Sequence, residues 1–80
     1  MAATRNDISE WFDRGINLQA KYMVVLCDTF DWEDYPCFFN SAEAAQCKKA
    51  APGLMQKVME IYDLLADKNE QMNKHRVMAL

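Results

Sequence analysis

Residues 22–39, YMVVLCDTFDWEDYPCFF, decide the fold of this chain. Its two ends, 22–28 and 35–39, are rich in β-branched and aromatic side chains, which is typical of buried strands. The residues between them, 29–34, carry turn-forming acids and do not alternate as a strand would. Two apolar runs joined by a short turn predict a β-hairpin.

A proline near the start of the second run limits where that strand can lie in a sheet. Pro36 has no backbone N–H to donate to a strand ladder, so this strand is expected at a sheet edge, or it begins at the proline. If the pairing is symmetric about Trp32, Cys27 and Cys37 come close together. A hairpin alone is only marginally stable in water, so a third strand is needed.

Residues 54–65, LMQKVMEIYDLL, are the candidate for the third strand, but their pattern is ambiguous. A helical stripe fits the apolar spacing well: Leu54, Val58, Ile61, Tyr62 and Leu65. A strand over about 57–65 would instead place Met59, Ile61 and Leu65 on one face and Val58, Tyr62 and Leu64 largely on the other. We favour the strand because the hairpin needs a partner, and because Asp67 and Glu70 form a capping box that begins a new helix.

The capping residues and apolar spacing of residues 7–20 predict the first helix. Asp7 is the expected N-cap, and Glu10 three positions later completes a capping box. Gly15 lies within the apolar stripe, although glycine in a helix costs about 1 kcal/mol relative to alanine. We therefore expect the helix to approach a sheet closely at this glycine.

Two further segments predict helices. Residues 42–51 have high helix propensity, with an acid early and lysines late, and Asn40 and Ser41 offer a cap. Pro52-Gly53 ends that helix. Residues 68–76 predict a short terminal helix, and the apolar VMAL that follows it either docks or frays.

These elements predict one α+β domain over residues 1–80, in the order α-β-β-α-β-α. A small antiparallel three-stranded sheet is covered by helices, which we place on one face. The other face then stays exposed or is buried in a homodimer, which is attractive for a chain with a thin core.

Composition narrows the class of function. The chain has 80 residues, a formal net charge of −3 and only scattered basic residues, which argues against nucleic-acid binding. The longest apolar run, 22–27, is too short to span a membrane. Three cysteines without a signal peptide predict a reducing, cytoplasmic location. They lack the closely spaced pair of a structural zinc site, so we expect Cys27, Cys37 and Cys47 to be core thiols.

The acids and aromatics of the turn are the candidate functional residues. A solvated acidic turn would explain the carboxylates but leaves the aromatics unexplained. Tryptophan and tyrosine are enriched among interface hot spots, and acids around them would steer a basic partner. The chain is thus predicted to be a non-catalytic module that binds a protein with a basic surface. The predicted partner-binding residues are Phe30, Asp31, Trp32, Glu33, Asp34 and Tyr35.

A small metal- or nucleotide-binding protein or enzyme is the alternative, with Asp28 and Asp31 as its acids. Carboxylates suit Ca²⁺ or Mg²⁺, but the turn lacks the glycine and distal glutamate of an EF-hand loop. There is no glycine-rich phosphate loop and no Ser-His-Asp arrangement, so we expect no cofactor and no catalytic residue.

The methionines Met23, Met55 and Met59 lie in apolar runs and are expected in the core.

The segment CDTFDWEDYP, residues 27–36, with VMEIYDL and EQMNKHR downstream, resembles a family of very small uncharacterised proteins from bacteria and their phages. The resemblance covers most of residues 7–76 and departs from the family at CFFN and VMAL. It implies a strand, an acidic turn, a second strand and a later strand at VMEIYDL. It implies no catalytic role, and phage association would suit an inhibitor or modulator of a host protein.

Overall fold

Three helices and a three-stranded antiparallel sheet make up the chain in a computed structural model that describes residues 3–74 and 77–80. The elements are α1 (Arg5–Asn17), β1 (Tyr22–Asp28), β2 (Glu33–Phe39), α2 (Ala42–Ala50), β3 (Gln56–Asp63) and α3 (Lys68–Asn73). The predicted α+β order is confirmed, including the strand in the ambiguous segment. The part of the predicted terminal helix at 75–76 lies outside the described residues.

Strand β1 is the centre of the sheet, whose order is β2-β1-β3. All five residues of 23–27 are buried. A strand that is apolar at every position has to be covered on both faces, because successive side chains point to opposite sides. Met23 and Val25 face one side and Val24 and Leu26 the other.

The helices are divided between the two faces, so the prediction that they share one face is wrong. Ile8 and Phe12 of α1 pack on the face that carries Met23 and Val25; we call this cluster the α1 core. On the opposite face α2 contributes Ala45, its one buried residue, to a smaller cluster with Val24, Leu26 and Ile61. The reason is that residues 23–27 of β1 are all apolar, so both faces of the strand have to be covered.

Helix α1 begins and ends earlier than the sequence pattern indicated. Its N-cap is Thr4, not Asp7: the Thr4 hydroxyl accepts from the Asp7 N–H, and the Asp7 carboxylate accepts from the Thr4 N–H. Asp7 thus serves as the third residue of the capping box. The helix ends at Asn17, and Gln19 follows with φ 60° in the left-handed region.

A Schellman motif closes this end of the helix. The Gln19 N–H bonds the Ile16 carbonyl, and the Ala20 N–H bonds the Gly15 carbonyl, each at 3.0 Å. The apolar spacing continues to Gln19, which is why the helix was expected to run to residue 20.

The close approach expected at Gly15 is confirmed. A Cβ atom on Gly15 would lie 2.6 Å from Leu64 Cδ1 and 2.9 Å from Phe38 Cε1. Phe38 belongs to β2, so glycine lets the helix lie directly against the sheet.

The hairpin turn is tighter and centred earlier than expected. Asp28 pairs with Glu33, so four residues, 29–32, make the turn and Glu33 already lies in β2. Cys27 is consequently opposite Asp34, and Cys37 is opposite Val24, so the predicted proximity of the two cysteines is wrong. The positive φ of Trp32, 61°, allows the chain to reverse in so few residues.

A bulge in β3 changes the faces of its side chains. Val25 pairs with Glu60 but Leu26 pairs with Val58, so Met59 is an extra residue. Val58 therefore joins Ile61 on the α2 face, and Met59 packs on the α1 core. The predicted pairing of Met59 with Ile61 on one face is wrong because a strict two-residue period ignores bulges.

Both edges of the sheet carry a feature that opposes the addition of another strand. β2 is an edge strand, as its proline predicted. On the outer edge of β3, the Ile61 N–H donates to the Val77 carbonyl at 2.8 Å and the Ile61 carbonyl accepts from the Ala79 N–H at 3.0 Å. The buried Gln71 side chain accepts from the Asp63 N–H at 3.0 Å. The apolar residues after α3 thus dock on the sheet.

Candidate functional site

The turn between β1 and β2 is held by its own acids. The Asp28 carboxylate accepts from the Phe30 N–H at 2.8 Å, and the Asp31 carboxylate accepts from the Glu33 N–H at 3.0 Å. The Trp32 N–H donates to the Asp28 carbonyl at 2.6 Å. These local bonds are the mechanism by which aspartate favours turns. Two of the predicted acids therefore shape the turn as well as charging it.

Phe30 and Trp32 are presented to solvent by this turn. Their exposed fractions are 78% and 62%. Asp31 and Glu33, which alternate with them along the chain, are also exposed. The structure thus exposes the first four of the six residues of the predicted site together at the hairpin turn.

Tyr35 and Asp34, also predicted to bind a partner, are directed into the molecule. Tyr35 is half-buried beside the α2-face cluster, and its hydroxyl accepts from Gln56 Nε2 at 2.7 Å. Burial raises the pKa of Tyr35, and the nearby Cys37 and Asp28 raise it further. Asp34 is half-buried and accepts from the Ala3 N–H at 3.0 Å. Tyr35 and Asp34 thus make contacts that stabilise the fold.

A second chain segment meets the turn at this end of the sheet. The Thr29 N–H donates to the Met55 carbonyl at 2.8 Å, and Asp28 pairs with Gln56 at the start of β3. Leu54 and Met55, the residues just before that strand, are exposed at 93% and 47%. Met55 was expected in the core, and Leu54 was named only in the helical alternative for residues 54–65. The signal was present in the sequence: both directly follow Pro52-Gly53, in a turn where burial is hard to arrange.

Backbone strain accompanies this exposure. Trp32 and Met55 have φ values of 61° and 58°, a left-handed conformation that costs a residue with a side chain about 1–2 kcal/mol. Both residues are large and apolar, whereas glycine or asparagine usually occupies such positions. Two strained positions thus lie within one small region of the surface.

The positions of the acidic side chains bear on the alternative of a metal-binding protein. Among residues 3–74 and 77–80 no group of three or more His, Cys, Asp or Glu side chains is placed to hold a metal ion. Asp28 and Asp31 each commit one carboxylate oxygen to a backbone N–H of the turn. His75, the one histidine of the chain, lies outside the described residues.

The cysteines occupy three different environments, and only part of the expectation that they are core thiols is confirmed. Cys27 is buried, Cys37 is half-buried, and Cys47 is exposed on α2. Burial raises the pKa of the Cys27 thiol, and the adjacent Asp34 carboxylate raises it further by hydrogen bonding and by its charge. Burial likewise raises the pKa of Cys37. Both thiols therefore stay protonated at neutral pH and are poor nucleophiles.

No family model, curated protein or solved structure matches this chain. The resemblance to small bacterial and phage proteins therefore stays a prediction. The three helices have 13, 9 and 6 residues, and none in the described part of the chain could cross a membrane.

Proposed function

We propose that this chain is a non-catalytic protein-binding module whose anchoring side chains are Phe30 and Trp32. The observation that carries the proposal is their exposure, 78% and 62%, on a turn whose backbone is fixed by its own hydrogen bonds. The part of an aromatic side chain that lies in water adds little to folding, whereas large aromatic side chains dominate the binding energy of many interfaces. A fixed turn also reduces the entropy lost on binding.

The charge around these aromatics indicates the kind of partner. Asp31 and Glu33 are exposed beside Phe30 and Trp32, and they favour a partner with basic side chains around an apolar centre. A second copy of the chain would set the same acids against each other, which disfavours a symmetric homodimer through this surface. A module that acts only by occupying another protein's surface would work as its inhibitor or modulator.

The test compares two double variants in affinity capture from a lysate of the source cells. Phe30→Ala with Trp32→Ala removes the proposed anchors. Leu18→Ala with Leu65→Ala is the matched control, because these side chains are also exposed, at 60% and 74%. We expect the control to capture the same protein as the wild type and the anchor variant to lose it, while circular dichroism shows both folded.

Electrostatic steering is tested in the same assay. Capture should weaken as salt rises from about 0.05 to about 0.5 M, since exposed charges are screened over that range. At low salt, Glu33→Lys should capture less of the partner than the wild type does. Capture by the anchor variant equal to that by the wild type would contradict the proposal.

A further inference from the structure

We infer that Phe30, Trp32, Leu54 and Met55 form one composite surface, the sheet-end surface, which inserts into a concave apolar pocket rimmed by Lys or Arg on the partner protein. This inference rests on the proposed function and extends it. It adds two anchors from a distant part of the sequence, and it gives the partner a shape and a charge.

The first step is the joining of the two segments. The hydrogen bond from Thr29 N to Met55 O, 2.8 Å long, ties the hairpin turn to the residues before β3. Asp28 pairs with both Glu33 and Gln56, so both segments begin at the same level of the sheet. The four side chains consequently extend from one end of the molecule.

The second step is the distribution of exposed apolar side chains. Eight large hydrophobic side chains of the described residues are exposed, and four of them are those of the sheet-end surface. Leu54, at 93%, projects almost wholly into solvent. The two cavities described for the chain, of about 330 and 180 Å³, are lined by other residues. A projecting surface fits a partner that is concave.

The third step is the state of the sheet edges, which argues against strand addition as the binding mode. Pro36 removes a donor from edge strand β2, and the outer edge of β3 is occupied at Ile61 and Asp63 by Val77, Ala79 and Gln71. Partners that recognise a sheet by adding a strand need a row of unpaired backbone groups. Recognition through side chains at the end of the sheet is thereby favoured.

The fourth step is charge. Asp28, Asp31 and Glu33 adjoin the surface. Two lysines lie at the same end: Lys57 is opposite Cys27, and the Lys48 ammonium donates to the Gln56 side chain at 3.0 Å. Three carboxylates against two ammonium groups leave the region with a net negative charge. A pocket rimmed by basic side chains complements it, and an acidic or purely apolar pocket does not.

The experiment places a photo-reactive residue at three positions in the full chain. The variants are Phe30→p-benzoylphenylalanine, Leu54→p-benzoylphenylalanine and, as a control at another exposed leucine, Leu18→p-benzoylphenylalanine. Each is irradiated in a lysate of the source cells, and the cross-linked protein and peptide are identified by mass spectrometry. We expect positions 30 and 54 to label the same pocket of the same protein, with Lys or Arg at its rim.

The outcomes separate this inference from the proposed function. Labelling from position 30 but not 54, or of different proteins, would overturn the composite surface and leave the anchoring role of Phe30 intact. Labelling of a flat or acidic surface from both would overturn the stated partner chemistry. If neither position labels more than Leu18 does, both proposals fail.

Affinity for the identified partner gives the second readout. Leu54→Ser should raise the Kd about tenfold, a typical effect of removing an apolar anchor. Leu65→Ser, at a leucine that is 74% exposed, should leave the Kd unchanged. Equal Kd values for the two variants would overturn the role of Leu54. Neither substitution is expected to unfold the chain, because both side chains lie mostly in water.

Discussion

The α1 core and the sheet-end surface are both built from large apolar side chains, and the fold uses them in opposite ways. Phe12 is fully buried and meets the Tyr62 ring edge-to-face, with centroids 6.3 Å apart. Phe30 is 78% exposed. At the sheet end, apolar surface stays in water, and Trp32 and Met55 adopt left-handed backbone. The α1 core thus buries its large apolar side chains, whereas the sheet-end surface leaves them accessible to another molecule.

The sharpest test of this difference replaces the same residue type at both places. Phe12→Ala should destabilise the protein by about 3–5 kcal/mol, because it leaves a cavity in the core. Phe30→Ala should change stability by no more than about 0.5 kcal/mol, as is usual for an exposed side chain. Urea unfolding followed by circular dichroism measures both.

Phe12→Leu extends the comparison should Phe12→Ala leave too little folded protein, since a loss of 3–5 kcal/mol approaches the whole stability of a small domain. We expect the free energy of unfolding of Phe12→Leu to lie between those of the wild type and Phe12→Ala. Similar losses at Phe12 and Phe30 would show that the two regions are not distinct.

The close contact of α1 with the sheet gives the next largest effect. At an exposed helix position, replacing glycine by alanine stabilises a protein by about 1 kcal/mol through helix propensity. In Gly15→Ala the added methyl group meets Leu64 and Phe38, so a net loss of about 1–3 kcal/mol is expected from overpacking. Thermal unfolding measures it.

A second substitution identifies the cause. Leu64→Val removes the terminal carbon nearest to the added methyl group, so Gly15→Ala should cost less in that background than in the wild type. Strict additivity of the two substitutions would point to a cause other than this contact.

The smallest effect concerns the strained backbone. Gln19 and Trp32 have φ values of 60° and 61°, which glycine adopts freely. Gln19→Gly, at the Schellman position after α1, should stabilise the chain by about 0.5–1 kcal/mol without affecting partner capture. Trp32→Gly should gain less stability, since it also removes side-chain contacts, and should lose capture.

Comparing Gln19→Gly with Trp32→Gly tests whether the strained backbone at Trp32 is needed for binding and the strained backbone at Gln19 is not. Stability is read from chemical denaturation, and capture from the lysate assay. Loss of capture by both variants, or by neither, would remove the link between the strained turn and the proposed function.

The candidate site was predictable where its residues are neighbours in the sequence. Phe30, Asp31, Trp32 and Glu33 are consecutive, so whatever turn they form brings them together. The inward orientation of Asp34 and Tyr35 was not predictable, since it depends on the exact pairing of Asp28 with Glu33. Leu54 and Met55 join the surface only because β3 pairs with β1, a contact between segments more than twenty residues apart.

The local sequence was enough to predict the hairpin, the three helices and the edge position of the proline-bearing strand β2, but not the strand type of β3, whose apolar spacing also fits a helix. The predicted properties follow from local composition, since propensity and side-chain period act over a few residues. Tertiary structure alone decided the division of helices between two faces, the bulge at Met59, the docking of 77–79 and the union of two segments at the sheet end. Each of these depends on which distant backbone groups pair and which faces need cover, and no local pattern contains that information.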